Sequence, residues 1–456
     1  MDIVEFTKKI NKLEVSHNFF DVKDENGLAY WDIARHDVFY AIYYELSGIK
    51  LINSGFSNSK LSRINSIFKY FYHSFKLKQA ISNKTYKYIC FTFSRYRNEK
   101  NENIDYAMDD IVSNIDANEV LLLENNIIFG ETFAYTSYLN TGVITAGYFN
   151  KFKQLFSRPK DRSFLITQIL KQEFGVKANL NQIINGLIKK YTLEVNYYLK
   201  LFKTVKPDQI FLVQSGLQKG LFKAANALQI PSYEMQHGLV SFIHPAYDYP
   251  PAIDLKNSGN FPAYFLSFSP FWSNNIHYPV QETITLGNTF FSKKPAPQPE
   301  EFDLLVVFAD IYTQDLLELL NKFLSIEFTG KIAVKLHPNQ KREVDFITKY
   351  FVLYPNVTVI CDERTIKELL LASNSVLAVQ STCVYEALYD QVKVLIYKVK
   401  DYHTHEDIFN NPNVYQIDNC EEIRDILKRT YILDDQIKFF NPFDRKLFLD
   451  LLKHHV

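Results

Sequence analysis

The sequence predicts an α/β protein of two doubly wound domains, each a parallel sheet covered on both faces by helices, with extra helices at the N-terminus. Three observations carry the prediction. Short apolar runs alternate with helical intervals on both sides of residues 292–299, at Gln209–Val213 and Pro231–Met235, then at Ile332–Leu336, Ser375–Val379 and Lys393–Tyr397. Strands buried on both faces read in this continuous way. Between the two series, Ser292-Lys293-Lys294-Pro295-Ala296-Pro297-Gln298-Pro299 alternates prolines and is expected to be an extended, semi-rigid linker. Finally, 456 residues suffice for two or three domains with sizeable cores. The expected division is residues 1–291, a linker at 292–302, and 303–456, whose last helix can pack back on the first domain.

Composition excludes several classes. The chain is 47% hydrophobic and 22% charged with a net charge of zero, so its overall balance makes no case for nucleic acid. No apolar run is long enough to span a bilayer. Met1-Asp2-Ile3-Val4-Glu5 lacks the features of a signal peptide, and a cytoplasmic location is expected. Cys90, Cys361, Cys383 and Cys420 are far apart, with neither disulfide-framework nor metal spacing. Cys383 reads as a small buried helix residue rather than a nucleophile.

In chain order, residues 1–48 read as helices, with Trp31, Ile33, Ala34, Val38, Tyr40, Ala41 and Tyr44 as an apolar band. From Leu46 to Asn98 there is no acidic residue, while Leu61, Ile64, Ile67, Phe68, Phe71, Tyr72 and Phe75 recur at helical spacing. Such a basic, aromatic stretch, centred on 57–87, fits an anionic membrane surface or a core helix with a solvated basic face. Lys87–Ser94 is a buried strand, followed by Arg95 and Arg97, candidate phosphate or acceptor contacts, and by Asp105, Asp109 and Asp110. Carboxylates near a strand end can deprotonate an acceptor hydroxyl. They can equally be first-turn residues favoured by a helix dipole.

After a second strand at Glu119–Leu123, residues 150–203 read as helices without a motif. The strand Gln209–Val213 breaks at Gln214-Ser215-Gly216 and leads into a helix over Leu217–Leu228. Pro231–Met235 ends in Gln236-His237-Gly238, with Glu234 before it and His244 after it. Gly238 would let the backbone approach a ligand, and an unperturbed histidine such as His237 is expected to titrate near neutrality. A histidine satisfied by loop carbonyls is the plainer alternative.

Past the linker, Phe302–Phe308 opens a new sheet. Ile332–Leu336, which carries Lys335, stops at His337-Pro338-Asn339. Ser375–Val379 hands over to Ser381-Thr382 and a helix containing Glu386. In parallel sheets ligands sit outside the carboxyl ends of the strands, so His337 and Ser381-Thr382 can share one crevice. Hydroxyls and N–H groups ahead of a helix favour a phosphate, His337 can donate to one that is leaving, and Glu386 can accept from ribose hydroxyls. An N-cap and a strand stop are the alternatives. His403, His405, Glu406 and Asp407 read as a polar loop, since their spacing suits no single helical face, and Arg445–His454 reads as a helix.

Lys335-Leu336-His337-Pro338 with Ser381-Thr382 and Glu386-Ala387 resembles the C-terminal half of bacterial GT-B glycosyltransferases of capsule and lipopolysaccharide synthesis. The His-Pro and Ser-Thr pair is similar to motifs of polysialyltransferases, Kdo transferases and teichoic-acid polymerases. Glu-x-Gln-His-Gly, followed by His244 and Tyr247-Asp248-Tyr249-Pro250, looks like the same group. The resemblance implies two Rossmann-like domains facing across a cleft, and places nucleotide phosphate on His337, Ser381 and Thr382 and ribose on Glu386. It also implies a carboxylate base at Asp110 or Asp109. Two departures stand out: Asp390-Gln391-Val392-Lys393 replaces a Gly-x-Pro pattern, and Ile111 replaces a glycine after the acidic pair.

The expected activity is transfer of a sugar from a CMP- or UDP-linked donor to a surface polysaccharide or lipid-linked acceptor, with no metal or cofactor. The protein is expected to attach peripherally to the inner membrane. His237, with Glu234 beside it, is the first candidate base and the Asp109/Asp110 pair the second. Lys335 and Gly238 complete the expected donor contacts, with His244 and Asp105 near the acceptor or phosphate. A non-hydrolysing nucleotide-sugar epimerase, or a nucleotide-binding module without activity, remains the alternative.

Overall fold

The computed structural model describes all residues except 49–59, 95, 98–99, 101, 128, 130, 136, 155–163, 214–217, 295–298, 338–339, 434–437 and 454–456. Arg95, Gln214-Ser215-Gly216, the centre of the Pro-rich segment and Pro338 therefore lie outside the described residues. So does the part of the basic region before Lys60. The chain forms two compact units, one of Thr7–Phe290 with Asn441–Val456, the other of Met1–Phe6 with Phe291–Phe440. Each chain end thus joins the unit whose other residues are distant from it in sequence. Each has a local cause: the backbone N–H of Ile3 donates to the buried carboxylate of Asp401 at 3.2 Å, and Phe448 is fully buried against Phe211.

In the larger unit, seven parallel strands are β1 (Tyr88–Thr92), β2 (Val120–Glu124), β3 (Tyr138–Leu139), β4 (Gln209–Val213), β5 (Ser232–Met235), β6 (Tyr264–Ser267) and β7 (Glu282–Thr285). They lie in the order β3-β2-β1-β4-β5-β6-β7. β1, β2, β4 and β5 are buried along their whole length, which explains their continuous apolar runs. On one face, Ile89, Phe91, Leu121, Leu123, Ile210 and Leu212 meet Tyr198, Leu201 and Phe202 of the helix Leu180–Val205. That helix is capped by Asn179, whose side chain accepts from the N–H of Gln182.

The N-terminal helices Ile3–Ser16 and Trp31–Ser47 do more than cover this unit. Arg35, 1% exposed, is gripped by both carboxylate oxygens of Glu14 at 2.6 and 3.1 Å and donates to the carbonyls of Pro245 and Asp248. The segment that follows Gln236-His237-Gly238 is thereby tied to a buried ion pair. Nearby, Lys219 is buried over the Phe261 ring and within hydrogen-bond reach of Tyr249. Desolvation pulls its pKa down to about 7, against the pull of Asp32 and Glu234.

The smaller unit holds six parallel strands: β8 (Leu304–Val307), β9 (Ile332–Lys335), β10 (Val357–Ile360), β11 (Ser375–Ala378), β12 (Lys393–Tyr397) and β13 (Val414–Ile417). Their order is β10-β9-β8-β11-β12-β13. Counted from β8, this is the 3-2-1-4-5-6 order of a Rossmann-like sheet, and the larger unit repeats it with one strand added. The two units are therefore Rossmann-like α/β domains. The core of the smaller one packs Leu304, Val306, Ile332, Val334, Leu377 and Leu395 against Leu316, Leu320 and Phe323 of the helix Thr313–Ser325.

Candidate functional site

Strand order selects the first place to look. In the smaller unit β8 lies between β9 and β11, so consecutive chain segments leave it in opposite directions. Ligands of open α/β sheets bind at the carboxyl ends beside such a reversal. His337 follows β9 there and Ser381 follows β11, on either side of the β8 end.

His337 is exposed, and its backbone is fixed by Gln340. The His337 N–H donates to the Gln340 Oε1 at 3.1 Å, and the Gln340 N–H donates back to the His337 carbonyl at 2.8 Å. Gln340 Nε2 also donates to Thr313 Oγ1, which ties the turn to the helix after β8. The backbone that carries the imidazole is thus braced through Gln340.

Ser381 is held differently. Its backbone N–H donates to Nε2 of His405 at 3.2 Å, and its hydroxyl accepts from the N–H of Cys383 at 3.3 Å. The N–H expected to face phosphate is therefore occupied, and the hydroxyl already accepts from the backbone at the start of the helix. His405 is fully buried, and desolvation pulls its pKa down to about 3, so it is neutral. With Nε2 accepting, Nδ1 carries the proton and donates to the Tyr385 hydroxyl at 3.2 Å. Tyr385 in turn donates to Asp407 at 2.9 Å. Thr382 is exposed beside this chain.

Glu386 sits in the helix Cys383–Tyr389 at 6% exposure, and no described residue hydrogen-bonds its carboxylate. Desolvation raises its pKa to about 7, opposed by Lys367, whose ammonium is 2.6 Å from Asp390. The Lys335 ammonium donates to the carbonyls of Cys361 and Arg364 beyond β10. Cys383 is buried, its thiol pushed up to about 12 by desolvation, which removes it as a nucleophile.

In the larger unit the equivalent strand ends carry His237 after β5 and a carboxylate cluster after β1 and β2. His237 is half-buried and its carbonyl accepts from the Tyr106 hydroxyl at 2.6 Å. His244, near His237 and His36, is held neutral, its pKa pulled down to about 3 by desolvation and then by those two imidazoles. Its Nδ1 accepts from the N–H of Ala246, so Nε2 bears the proton. Glu234 is fully buried and accepts from Tyr247 at 2.9 Å and Tyr278 at 2.6 Å. It braces the loop from inside and presents no free oxygen to a substrate. Gly238 is not at positive φ, and a Cβ there would meet nothing within 4 Å. Neither a tight turn nor a crowded approach requires the glycine.

The acidic residues fall into distinct roles. Asp105, buried, accepts from the N–H groups of Phe93, Ala107 and Met108, while desolvation raises its pKa to about 7. Asp109 and Asp110 open the short helix Asp109–Ser113. Asp109 accepts from the Tyr135 hydroxyl, and Asp110 accepts from the N–H of Thr289 at 2.7 Å and is raised by burial. Arg97 is exposed and paired with Glu131 at 2.8 Å.

Glu124, absent from the sequence-based candidates, ends β2 at 1% exposure. It accepts from Thr92, from both the N–H and the hydroxyl of Ser94, and from the N–H of Asn126. With Asp105, Asp109 and Tyr135 it lines a small cavity at the carboxyl ends of β1 and β2. A carboxylate closing the run Val120–Leu123 was the available signal. Among the described residues, no three His, Cys, Asp or Glu side chains gather as a metal-ligand set.

No family model and no curated protein match the sequence. Solved structures give likenesses at low identity. A UDP-GlcNAc 2-epimerase from Methanocaldococcus jannaschii, in complex with UDP-GlcNAc and UDP, is 12% identical with a TM-score of 0.49, over 80% of this chain and 99% of that one. MurG from Acinetobacter baumannii is 11% identical with a TM-score of 0.39, over 80% and 91%. The glycotransferase of kitacinnamycin is 10% identical with a TM-score of 0.40, over 75% of this chain and 90% of that one.

Proposed function

We propose that the protein is a nucleotide-sugar-dependent glycosyltransferase, transferring a sugar from a CMP- or UDP-linked donor to a bacterial surface polysaccharide or lipid-linked acceptor. The supporting observation is the flanking of the β8 carboxyl end by His337 and by Ser381-Thr382 in a sheet of 3-2-1-4-5-6 order. In this reading the exposed imidazole of His337 donates to the departing phosphate, where a charge-assisted bond gains strength as negative charge develops. The Ser381 and Thr382 hydroxyls contribute further donors, and the unsatisfied carboxyl of Glu386 pairs with ribose hydroxyls. No metal is needed, because side-chain donors neutralise the phosphate. The acceptor's proton is assigned to His237, with Asp110 and Asp109 next. Asp109 and Asp110 already accept hydrogen bonds from Tyr135 and Thr289, so an acceptor hydroxyl would compete with those donors for their oxygens.

A thermal-shift panel of CMP, CDP, UDP, GDP and TDP tests the donor assignment, since a ligand that binds the native state raises the melting temperature. One nucleotide is expected to stand out. Turnover of the matching sugar donor should fall about 100-fold or more in His337→Ala, the usual cost of losing a donor to developing charge. Wild-type turnover in that variant would remove His337 from the chemistry. Change of the free nucleotide sugar with no acceptor present would replace the transferase by an epimerase.

A further inference from the structure

The helix Lys60–Asn83 packs on its own unit with the side opposite to Phe68, Tyr72 and Phe75. At about 100° per residue, Phe68, Tyr72 and Phe75 fall within roughly 60° of one another on the helix surface. They are 70%, 54% and 65% exposed. Leu77, on the far side, is 3% exposed and belongs to the core with Tyr86 and Ile89. The inward face also carries Ser74, whose hydroxyl meets Thr141 and Thr145 at 2.8 and 3.2 Å. This helix therefore turns Leu77, Ser74 and Tyr70 towards its own unit while leaving three aromatic rings in water. Phe149, 62% exposed on the helix Gly142–Gln154, extends the patch by packing edge-on against Phe71 at 5.1 Å.

The charges around the rings have one sign. Lys69 and Lys76 project along one flank and Lys78 along the other, all exposed, and the helix contains no carboxylate. Lys76 lies over the Tyr72 ring at 4.8 Å and Lys69 over the Phe129 ring at 5.2 Å. Aromatic rings in the centre with ammonium groups on both flanks match the two layers of an anionic bilayer surface. Rings enter the headgroup–acyl boundary, and lysines reach the phosphates with stems lying along the apolar zone.

We propose that the Phe68–Tyr72–Phe75–Phe149 patch is a membrane-docking surface for anionic lipid. A second copy of the chain is a weaker occupant, because it would bring Lys69, Lys76 and Lys78 against like charges. The surface stands on its own geometry and does not depend on the donor chemistry proposed above.

Flotation of the full chain with phosphatidylcholine vesicles, with and without phosphatidylglycerol, is the test. The expected result is association only where phosphatidylglycerol is present, weakened as ionic strength rises. Phe68→Ser/Tyr72→Ser/Phe75→Ser should lower the bound fraction at least tenfold at unchanged melting temperature, because these side chains are exposed. Lys69→Glu/Lys76→Glu/Lys78→Glu should abolish the preference for phosphatidylglycerol. Equal flotation of wild type and the aromatic triple variant would overturn the proposal. So would the absence of vesicle association together with a dimer, seen by light scattering, that the triple variant loses.

Discussion

Glu386 shows how burial sets the behaviour of a single group. Its carboxyl is enclosed without a hydrogen-bond partner among the described residues, and its pKa is raised to about 7 from the ordinary 4.5. The native state therefore holds this proton more tightly than the unfolded chain does. Its contribution to stability is complete below pH 4.5 and is lost as pH climbs through 7. Glu386→Gln, neutral at every pH, should be more stable than wild type at pH 8 by roughly 1–3 kcal/mol, with the difference shrinking towards pH 4.5. Melting temperatures of the two proteins across that range check it. A constant difference would mean that the carboxyl is not desolvated. His405 makes the contrasting case for what sequence can reveal. Its spacing among His403, Glu406 and Asp407 fits no helical face, and it reads as part of a polar loop. The structure turns it inward within the 3-10 stretch Tyr402–Ile408, where it meets Ser381 across 24 residues of sequence. Pairing of β11 with β12 brings their carboxyl ends together, and only that pairing makes the contact visible. The positions of His337 and Ser381 at strand ends were legible because each follows an apolar run. Glu14 and Arg35 were not, because their pairing joins two helices with no motif between them.

At the scale of elements, legibility followed burial. β1, β4 and β12 read as strands because four or more consecutive residues are enclosed. The edge strands did not: β7, β10 and β13 mix exposed, half-buried and buried positions over four residues, which leaves no continuous apolar run to read. The basic helix 60–83 was visible as an element, but the direction of its rings was not. Aromatic residues at helical spacing ordinarily mark a core face, and here part of the series faces outward. The N-terminal helices offer a test of what an element contributes. Arg35 links Glu14 to the carbonyls of Pro245 and Asp248, so its removal strands a buried carboxylate and frees the segment beside His244. Arg35→Ala should destabilise the larger unit by about 3–5 kcal/mol, as breaking a buried ion pair from one side does. Denaturant unfolding gives the number. A loss under about 1 kcal/mol would show that water replaces the guanidinium without penalty.

For the whole molecule, the two cores share no residue. One runs through Leu304, Leu320 and Leu377, the other through Ile89, Tyr198 and Ile210. Both tryptophans of the chain, Trp31 and Trp272, belong to the larger unit, at 0% and 2% exposure. Tryptophan fluorescence therefore reports that unit alone, while calorimetry reports both. If the nucleotide binds at His337 and Ser381, it stabilises the smaller unit by mass action. The expected outcome is a calorimetric transition that rises with nucleotide while the fluorescence transition moves less. Arg35→Ala should do the reverse, lowering the fluorescence midpoint first. Such a separation is open to proteins with more than one core, for which a single midpoint does not describe unfolding. A nucleotide-dependent rise confined to the fluorescence transition would place the nucleotide in the unit of β1–β7 and refute the assignment to His337. Equal movement of both transitions, with wild-type nucleotide affinity in His337→Ala, would refute it as well.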